Sequence, residues 1–423
     1  MIDDGQRIAV IGAGVSGLTA AWMLSRKHTV TLFEAEPRLG GHTHTHRIQR
    51  PDGTWPVDTG FIVFNERTYP NLIRLFRWFG IEGQLSTMSF SVRNEMTDFE
   101  YKPSTLDTIF AQRNNLIRPA MYKLMSEIMR FRKESPEVLA PGVPEISLGD
   151  YLRKNEYSEL FISHFIVPMG AAIWSSSVRI MMNFPARFFI RFFENHGFLN
   201  LKDKPRWFTV PGGSSSYVPH LAQPLEDRIH TGTLVRAIER YDDHVLIHTD
   251  AMEPARFDYA IVAVHADQAM GMVRDLTDAE TDVLRAFPYQ ANRVVLHMDD
   301  HLMPKRKKVW ASWNYHITTH DDEPVAVSYN MNILQSIPSE DPFIVTLNRT
   351  HDIANEKILK TLNYDHPVFI ESSIPAQARH DAVNGTRRTF YCGAYWRNGF
   401  HEDGVVSALT VCRRFGLELE DPP

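Results

Sequence analysis

The chain is 423 residues long, 43% hydrophobic, with a formal charge of −6, which is enough for two packed domains and lacks the basic footprint of a nucleic-acid binder. Its two cysteines, Cys392 and Cys412, support neither a disulfide framework nor a zinc or redox spacing. No apolar run reaches membrane-span length, and MIDDGQR leads into the first strand without a signal-peptide core, so a cytoplasmic protein is expected.

Residues 7–11 alternate like a buried strand, Gly12, Gly14 and Gly17 form GxGxxG, residues 18–27 have helical spacing, and residues 29–33 form a second strand ending at Glu34. Gly12 permits the tight turn out of the strand. Gly14 removes the Cβ that would hold a pyrophosphate away from the free N–H groups at Val15 and Ser16, and Gly17 lets helix and strand pack closely. Glu34, followed by Ala35, ends the strand where a carboxylate accepts from a ribose 2′-hydroxyl and repels a 2′-phosphate. FAD or NAD is therefore expected over NADP.

Arg38, Gly40 and Gly41 follow as RxGG. The succession of GxGxxG, Glu34 and RxGG resembles the FAD-binding signature of the flavin amine oxidase and phytoene desaturase superfamily. That resemblance implies FAD as the cofactor, with the arginine and paired glycines against its phosphates and flavin side. His42, His44 and His46 alternate next; on one strand face they would suit a transition metal, but their place beside RxGG implies contact with phosphate or flavin instead, and no metal site is expected. Residues 55–64 read as a strand and turn, and Asp58, Gly60 and Phe61 resemble the superfamily segment beside the flavin ring.

Residues 69–79 have helical spacing, residues 90–101 read as a hairpin, and residues 115–133 as a helix. In that helix Leu116, Met121, Leu124, Met125, Ile128 and Met129 face one side, and Arg118, Lys123, Arg130, Arg132 and Lys133 lie largely elsewhere. Such a helix packs on a core or rests on an anionic bilayer, so peripheral contact at the inner face of the membrane stays open. Ser147 and Asp150 form a capping box for a helix through Lys154. Residues 161–198 are rich in aromatic side chains and methionine, including Trp174, Phe184, Phe188 and Phe192, which suits core packing and an apolar substrate pocket.

Pro211, Gly212 and Gly213 resemble the point at which the superfamily chain re-enters its cofactor domain. Residues 229–238 match the strand whose valine, here Val235, pairs with the adenine. Strands are expected at residues 243–248 and 257–264, and helices at 267–273 and 278–287. Residues 290–298 read as the strand that carries a flavin-proximal lysine in amine oxidases; an ungapped comparison puts Arg293 there, a permanent cation that does not replace lysine as a water-holding group. Residues 310–315, 324–330 and 343–348 read as further strands, and 355–362 as a short helix. The segment from residue 389 to 411 resembles the C-terminal flavin motif, with Gly393 after a strand, then Asp403, Gly404 and a helix from Val405 aimed at the flavin pyrimidine. His401 stands at the position of the amine-cage tyrosine.

The fold expected is α/β: a discontinuous Rossmann-like FAD-binding domain at residues 1–65, 205–270 and 385–423, and an α+β substrate domain with a mixed sheet and helices at 66–204 and 271–384. The RLGGH and GFHEDG segments resemble bacterial amine-oxidase-like flavoproteins associated with enzymes that methylate or cyclopropanate fatty acyl chains. This implies an FAD-dependent oxidoreductase that desaturates a fatty acyl or methyl-branched chain, with a fatty acyl methyltransferase as a partner. His401, Glu402 and Arg293 are the catalytic candidates, His401 because its unperturbed pKa lies near neutrality. Two other functions are weighed: an amine oxidase releasing hydrogen peroxide, and a flavin- and lipid-binding accessory protein.

Overall fold

Four of the five residues of Arg7–Ile11 are buried, and the strand sits where that pattern requires, inside a parallel sheet covered on both faces. The computed structural model describes residues 2–200, 202–318 and 326–421. Arg7–Ile11 pairs in parallel with Thr29–Phe33 on one side and Tyr259–Val262 on the other. Ile229–His230 and Thr389–Tyr391 complete this five-stranded sheet at its two edges. One sheet thus gathers segments from the start, middle and end of the chain. The antiparallel strands Val235–Arg240, Val245–Thr249 and Ala255–Phe257 form a three-stranded sheet beside it. Arg240 is held there by Glu280 at 2.6 Å, both side chains fully buried.

A second large sheet has seven strands in the order Ile358–Pro367, Tyr289–His297, Ile344–Leu347, Ala326–Asn330, Trp313–Ile317, Phe90–Asn94 and Phe99–Tyr101. Its pairs are antiparallel except for Phe90–Asn94 beside Trp313–Ile317. The helices Pro119–Glu134, Val167–Trp174 and Ala186–Asn195 pack with this sheet in one apolar core. Phe161, Phe184, Phe189 and Phe193 are buried in that core. The aromatic-rich stretch is therefore first of all a packing layer, and only some of its rings reach a cavity.

Several expected elements are displaced. Residues 355–362 are not a helix: Asn355–Lys357 is one 3₁₀ turn, and Ile358–Pro367 is a strand paired antiparallel with Tyr289–His297 along almost its whole length. Cross-strand pairing outweighs the helical texture of that stretch. The helix expected from residue 115 begins at Pro119, after a 3₁₀ turn over Arg113–Ile117, because proline is accepted in the first turn and not inside. Leu116 and Met129, assigned to its apolar side, are 44% and 43% exposed. Of the strand expected at residues 324–330, Ala326–Asn330 is observed, while Pro324 and Val325 lie outside the described residues. Among the described residues no helix is long and apolar enough to cross a membrane.

Candidate functional site

A cavity of about 1070 Å³ runs from the carboxyl end of the parallel sheet into the space beneath the seven-stranded one. Ligand pockets commonly measure about 300–1,000 Å³, so this one has room for a dinucleotide and a second molecule. At one end it is lined by Gly12, Gly14, Val15, Ser16, Glu34, Ala35, Gly41, His42, Gly60, Phe61, Val235 and Gly393. These twelve of the sequence-predicted cofactor residues are thus brought together on the cavity wall.

The glycines divide into those that shape the chain and those that open the cavity. Gly12 has φ +96°, and a Cβ there would lie 2.6 Å from the Ala263 carbonyl oxygen; a Cβ on Gly17 would lie 1.8 Å from the oxygen of Gly12. Both positions exclude a side chain by collision. A Cβ on Gly14 would meet nothing within 4 Å. That open face, in front of the ten-residue helix Val15–Leu24 with no acidic residue in its first turn, leaves N–H groups and a positive dipole end available to a pyrophosphate. Glu34 accepts from the N–H of Ala13 at 2.7 Å and of Glu36 at 2.9 Å, which holds its carboxylate on the cavity wall. These residues fit FAD: a helix terminus for the diphosphate, a carboxylate for a ribose, and Val235 beside them.

Arg38, Gly40 and Gly17 do not line the cavity. Arg38 Nη2 donates to the carbonyl of Gly41 at 2.8 Å, and Gly40 has φ +114° with Thr43 too close for a Cβ. They form the turn that presents Gly41 and His42. Gly60 is likewise required by contact, since its Cβ would meet the His42 oxygen at 2.0 Å. Asp58, just before it, is buried and receives hydrogen bonds from Thr45 Oγ1, the N–H and hydroxyl of Ser214, and Gln335; burial pushes its carboxyl up to about 6. It ties the re-entry segment after Gly213 to the cradle.

The C-terminal motif departs from expectation in its register. The helix spans His401–Arg414, so it begins before Gly404 and not at Val405. A Cβ on Gly404 would lie 2.7 Å from Val15 Cγ1 and 2.8 Å from Ser16 Oγ; glycine lets this helix cross the first helix closely. Gly404, Val405 and Asp403 are buried behind the cavity wall. Asp403 accepts from the N–H groups of Phe400 and Asn398 at 2.9 and 3.2 Å, and burial raises its carboxyl to about 6.

The three catalytic candidates are placed differently from one another. Glu402 does not reach the cavity: its carboxylate accepts from the N–H groups of Asn71 and Leu72 and from the Asn71 side chain at 2.7–3.1 Å. It caps the helix Pro70–Trp78 from another part of the chain, and burial raises its pKa. Arg293 is exposed, on the outer face of Tyr289–His297, because strand alternation turns Asn292 and Val294 inward. The ungapped comparison put the cation on the wrong side of the sheet. His401 does line the cavity, stacked on Phe61 and bonded to Thr43 Oγ1 at 2.9 Å. Burial pushes its imidazole down to about 3, which removes the near-neutral pKa that recommended it.

Sequence reading missed a cluster facing the same space: His265, Tyr289, Tyr364 and His366 join His42 on the cavity wall. His42 lies in a turn, and His44 stands just ahead of the strand Thr45–Arg50; the rings of His44 and His46 lie together, centroids 4.0 Å apart, while His42 lines the cavity apart from them. Its ring centroid is 4.9 Å from that of Tyr364 and 5.4 Å from that of His366, and its Nε2 is buried with no hydrogen-bond partner. Burial, with His366, His265, His401 and Arg38 nearby, holds its pKa well below the ordinary value. Tyr364 bonds to His44 Nδ1 and Thr59 Oγ1 at 3.1 and 3.0 Å. The available signal was the alternation of Leu362, Tyr364 and His366, which begins where the helix expected over residues 355–362 ends. Further in, the wall is apolar, with Phe90, Phe165, Met169, Trp174, Phe192 and Phe400.

Comparison with known proteins agrees with this geometry. The family profile described as flavin containing amine oxidoreductase matches residues 15–343. An L-amino-acid oxidase from Pseudechis australis is 43% identical over 79 residues, covering 18% of this chain and 14% of that protein. One from Gloydius halys is 23% identical over 334 residues, 74% of this chain and 61% of that protein. The chain therefore aligns with less than two thirds of the length of these relatives. A fatty acid isomerase from P. acnes, described as producing CLA, superposes with a TM-score of 0.68 at 16% identity, covering 98% of this chain and 100% of that one, which shows the shared fold. The chain belongs to the flavin containing amine oxidoreductase family.

Proposed function

We propose that this oxidoreductase desaturates an acyl chain, fatty or methyl-branched, and that a fatty acyl methyltransferase supplies the branched form. The observation that carries the reading is the apolar wall beyond the cradle. Phe90, Phe165, Met169, Trp174, Phe192 and Phe400 line it, a surface that solvates a hydrocarbon and offers little to a polar amine. The position expected to bear a flavin-proximal lysine adds no cation to it, since Arg293 faces outward.

Bound FAD supplies a hydride acceptor. The chain then has to hold two adjacent carbons against it, keep water away and take the second hydrogen as a proton. Phe192 and Phe400, stacked at 5.2 Å between centroids, serve the first two tasks. His42 is assigned the third: it lines the cavity, and its Nε2 has no hydrogen-bond partner, whereas the Nε2 of His401 is engaged by Thr43; burial lowers the pKa of both rings, so the unengaged nitrogen is what separates them. Thr43 and Phe61 hold His401 as a neutral ring beside it.

The test is mass spectrometry of total fatty acids from host cells with and without the protein, complemented by the intact chain and by a variant with valine at both Gly12 and Gly14. Acyl species two hydrogens lighter, formed only with the intact chain, are expected. Unchanged lipids in every strain, together with hydrogen peroxide release from simple amines, would replace this reading with amine oxidation. Lipid binding without flavin reduction by any lipid would replace it with an accessory role.

A further inference from the structure

The cavity contains a cation that the oxidation itself does not use. Arg132 stands near the C-terminal end of Pro119–Glu134 and lines the same cavity as Phe165, Met169 and Ile173. Its Nε is buried with no hydrogen-bond partner, and its guanidinium finds only the Met129 sulfur, 3.8 Å from Nη1. The other basic side chains of the cavity wall are already paired or lie in water. Arg206 is 2.8 Å from Glu66, Arg236 is 3.2 Å from Asp250, and Lys204 is exposed. Among the described residues no carboxylate pairs with Arg132.

Arg132 as a whole is half-buried, so part of its guanidinium is held from water without a compensating partner. Burial disfavours the charge of Arg132, yet a guanidinium does not release its proton near neutrality. An unpaired cation against an apolar wall is stabilised by an anion that arrives with the ligand, and the planar fork of arginine matches carboxylate and phosphate oxygens two at a time.

We propose that Arg132 binds the anionic end of the substrate, a carboxylate or a phosphate, and so fixes how far the acyl chain reaches along Phe165, Met169 and Ile173. This rests on the acyl reading above. It makes Arg132 the residue that sets which carbons lie at the cofactor, and it restricts the substrate to acyl molecules with a negative group.

The experiment is calorimetric titration of the FAD-loaded protein with dodecanoate, dodecyl phosphate and dodecanol. The wild-type chain is expected to bind at least one anion about tenfold or more tightly than the alcohol, the scale of a charge-assisted hydrogen bond. Arg132→Gln should lose that preference while binding dodecanol as before, and Arg132→Lys should recover part of it. Unchanged flavin absorbance in both variants shows that they are folded. Preference for dodecanoate identifies a free fatty acid as the source of the anion, and preference for dodecyl phosphate identifies a phospholipid head group. If the wild type binds the alcohol as tightly as the anions, or if Arg132→Gln keeps the preference, the assignment of Arg132 is overturned and the acyl reading stands. If none of the three binds, the acyl reading falls, and this proposal with it.

Discussion

The imidazole of His401 lies face to face with the ring of Phe61, centroids 3.7 Å apart and planes 14° apart, while its Nε2 sits 2.9 Å from the hydroxyl of Thr43. Thr43 Oγ1 in turn meets Tyr217 at 2.6 Å. The ring is thus a neutral packing and hydrogen-bonding piece of the cavity wall. His401→Phe keeps the stack and removes one hydrogen bond, so it should cost about 1 kcal/mol of stability. Flavin reduction, measured anaerobically by stopped flow, should slow by about threefold at most, far less than the 10²–10⁴ expected on removing a general base. A loss on that larger scale would return His401 to proton transfer.

His42 is expected to behave in the opposite way. His42→Gln keeps a polar group of similar reach but no basic nitrogen. FAD content and acyl-ligand affinity should stay near wild type, while the rate of flavin reduction falls by about 10²-fold or more. A variant that reduces its flavin at the wild-type rate would show that the proton leaves by another route.

The second and third glycines of the fingerprint should separate binding from folding. Since a Cβ on Gly14 meets nothing within 4 Å, Gly14→Ala should fold with the thermal midpoint of the wild-type apoprotein and yet purify with less FAD. Gly17→Ala places its Cβ against the oxygen of Gly12 at 1.8 Å and should lower the midpoint of the apoprotein itself, because backbone has to move. Full FAD retention by Gly14→Ala would contradict the placement of the pyrophosphate at this helix.

Most of the parallel sheet was legible because each of its strands is short, apolar and bounded by glycine or a charged residue, and because GxGxxG must join a strand to a helix. The cavity was legible only where backbone does the binding. Side chains were misassigned where one residue of register decides the face: Arg293 points out because Asn292 and Val294 point in, and Glu402 turns to the helix at Pro70 because His401 is already its helix's first residue. Tyr364 and His366 were lost with the strand that carries them. Its alternation is weak, and what fixes it is pairing with Tyr289–His297, a contact between distant parts of the chain that local pattern does not reveal.

Buried neutral histidines should also set the acid stability of the protein. Burial holds His46, His164, His196, His297 and His366 at about 4 and His44 at about 3, like His401, whereas in the unfolded chain each titrates near 6.5. Between about pH 6.5 and 4 the unfolded state therefore binds more protons, and stability is lost as pH falls through that window. Fully buried His297 alone contributes a slope of up to about 1.4 kcal/mol per pH unit. Asp58 and Asp403, raised to about 6, act in the other direction. Their folded forms bind more protons between about pH 6 and 4, so acid favours the folded state at these two sites. The histidines prevail by number, and the thermal midpoint should fall steadily from pH 7 to pH 5, with net proton uptake on unfolding when calorimetry is repeated in buffers of different ionisation enthalpy. A midpoint that holds constant over that range, with no proton uptake, would mean that these rings are hydrated in solution.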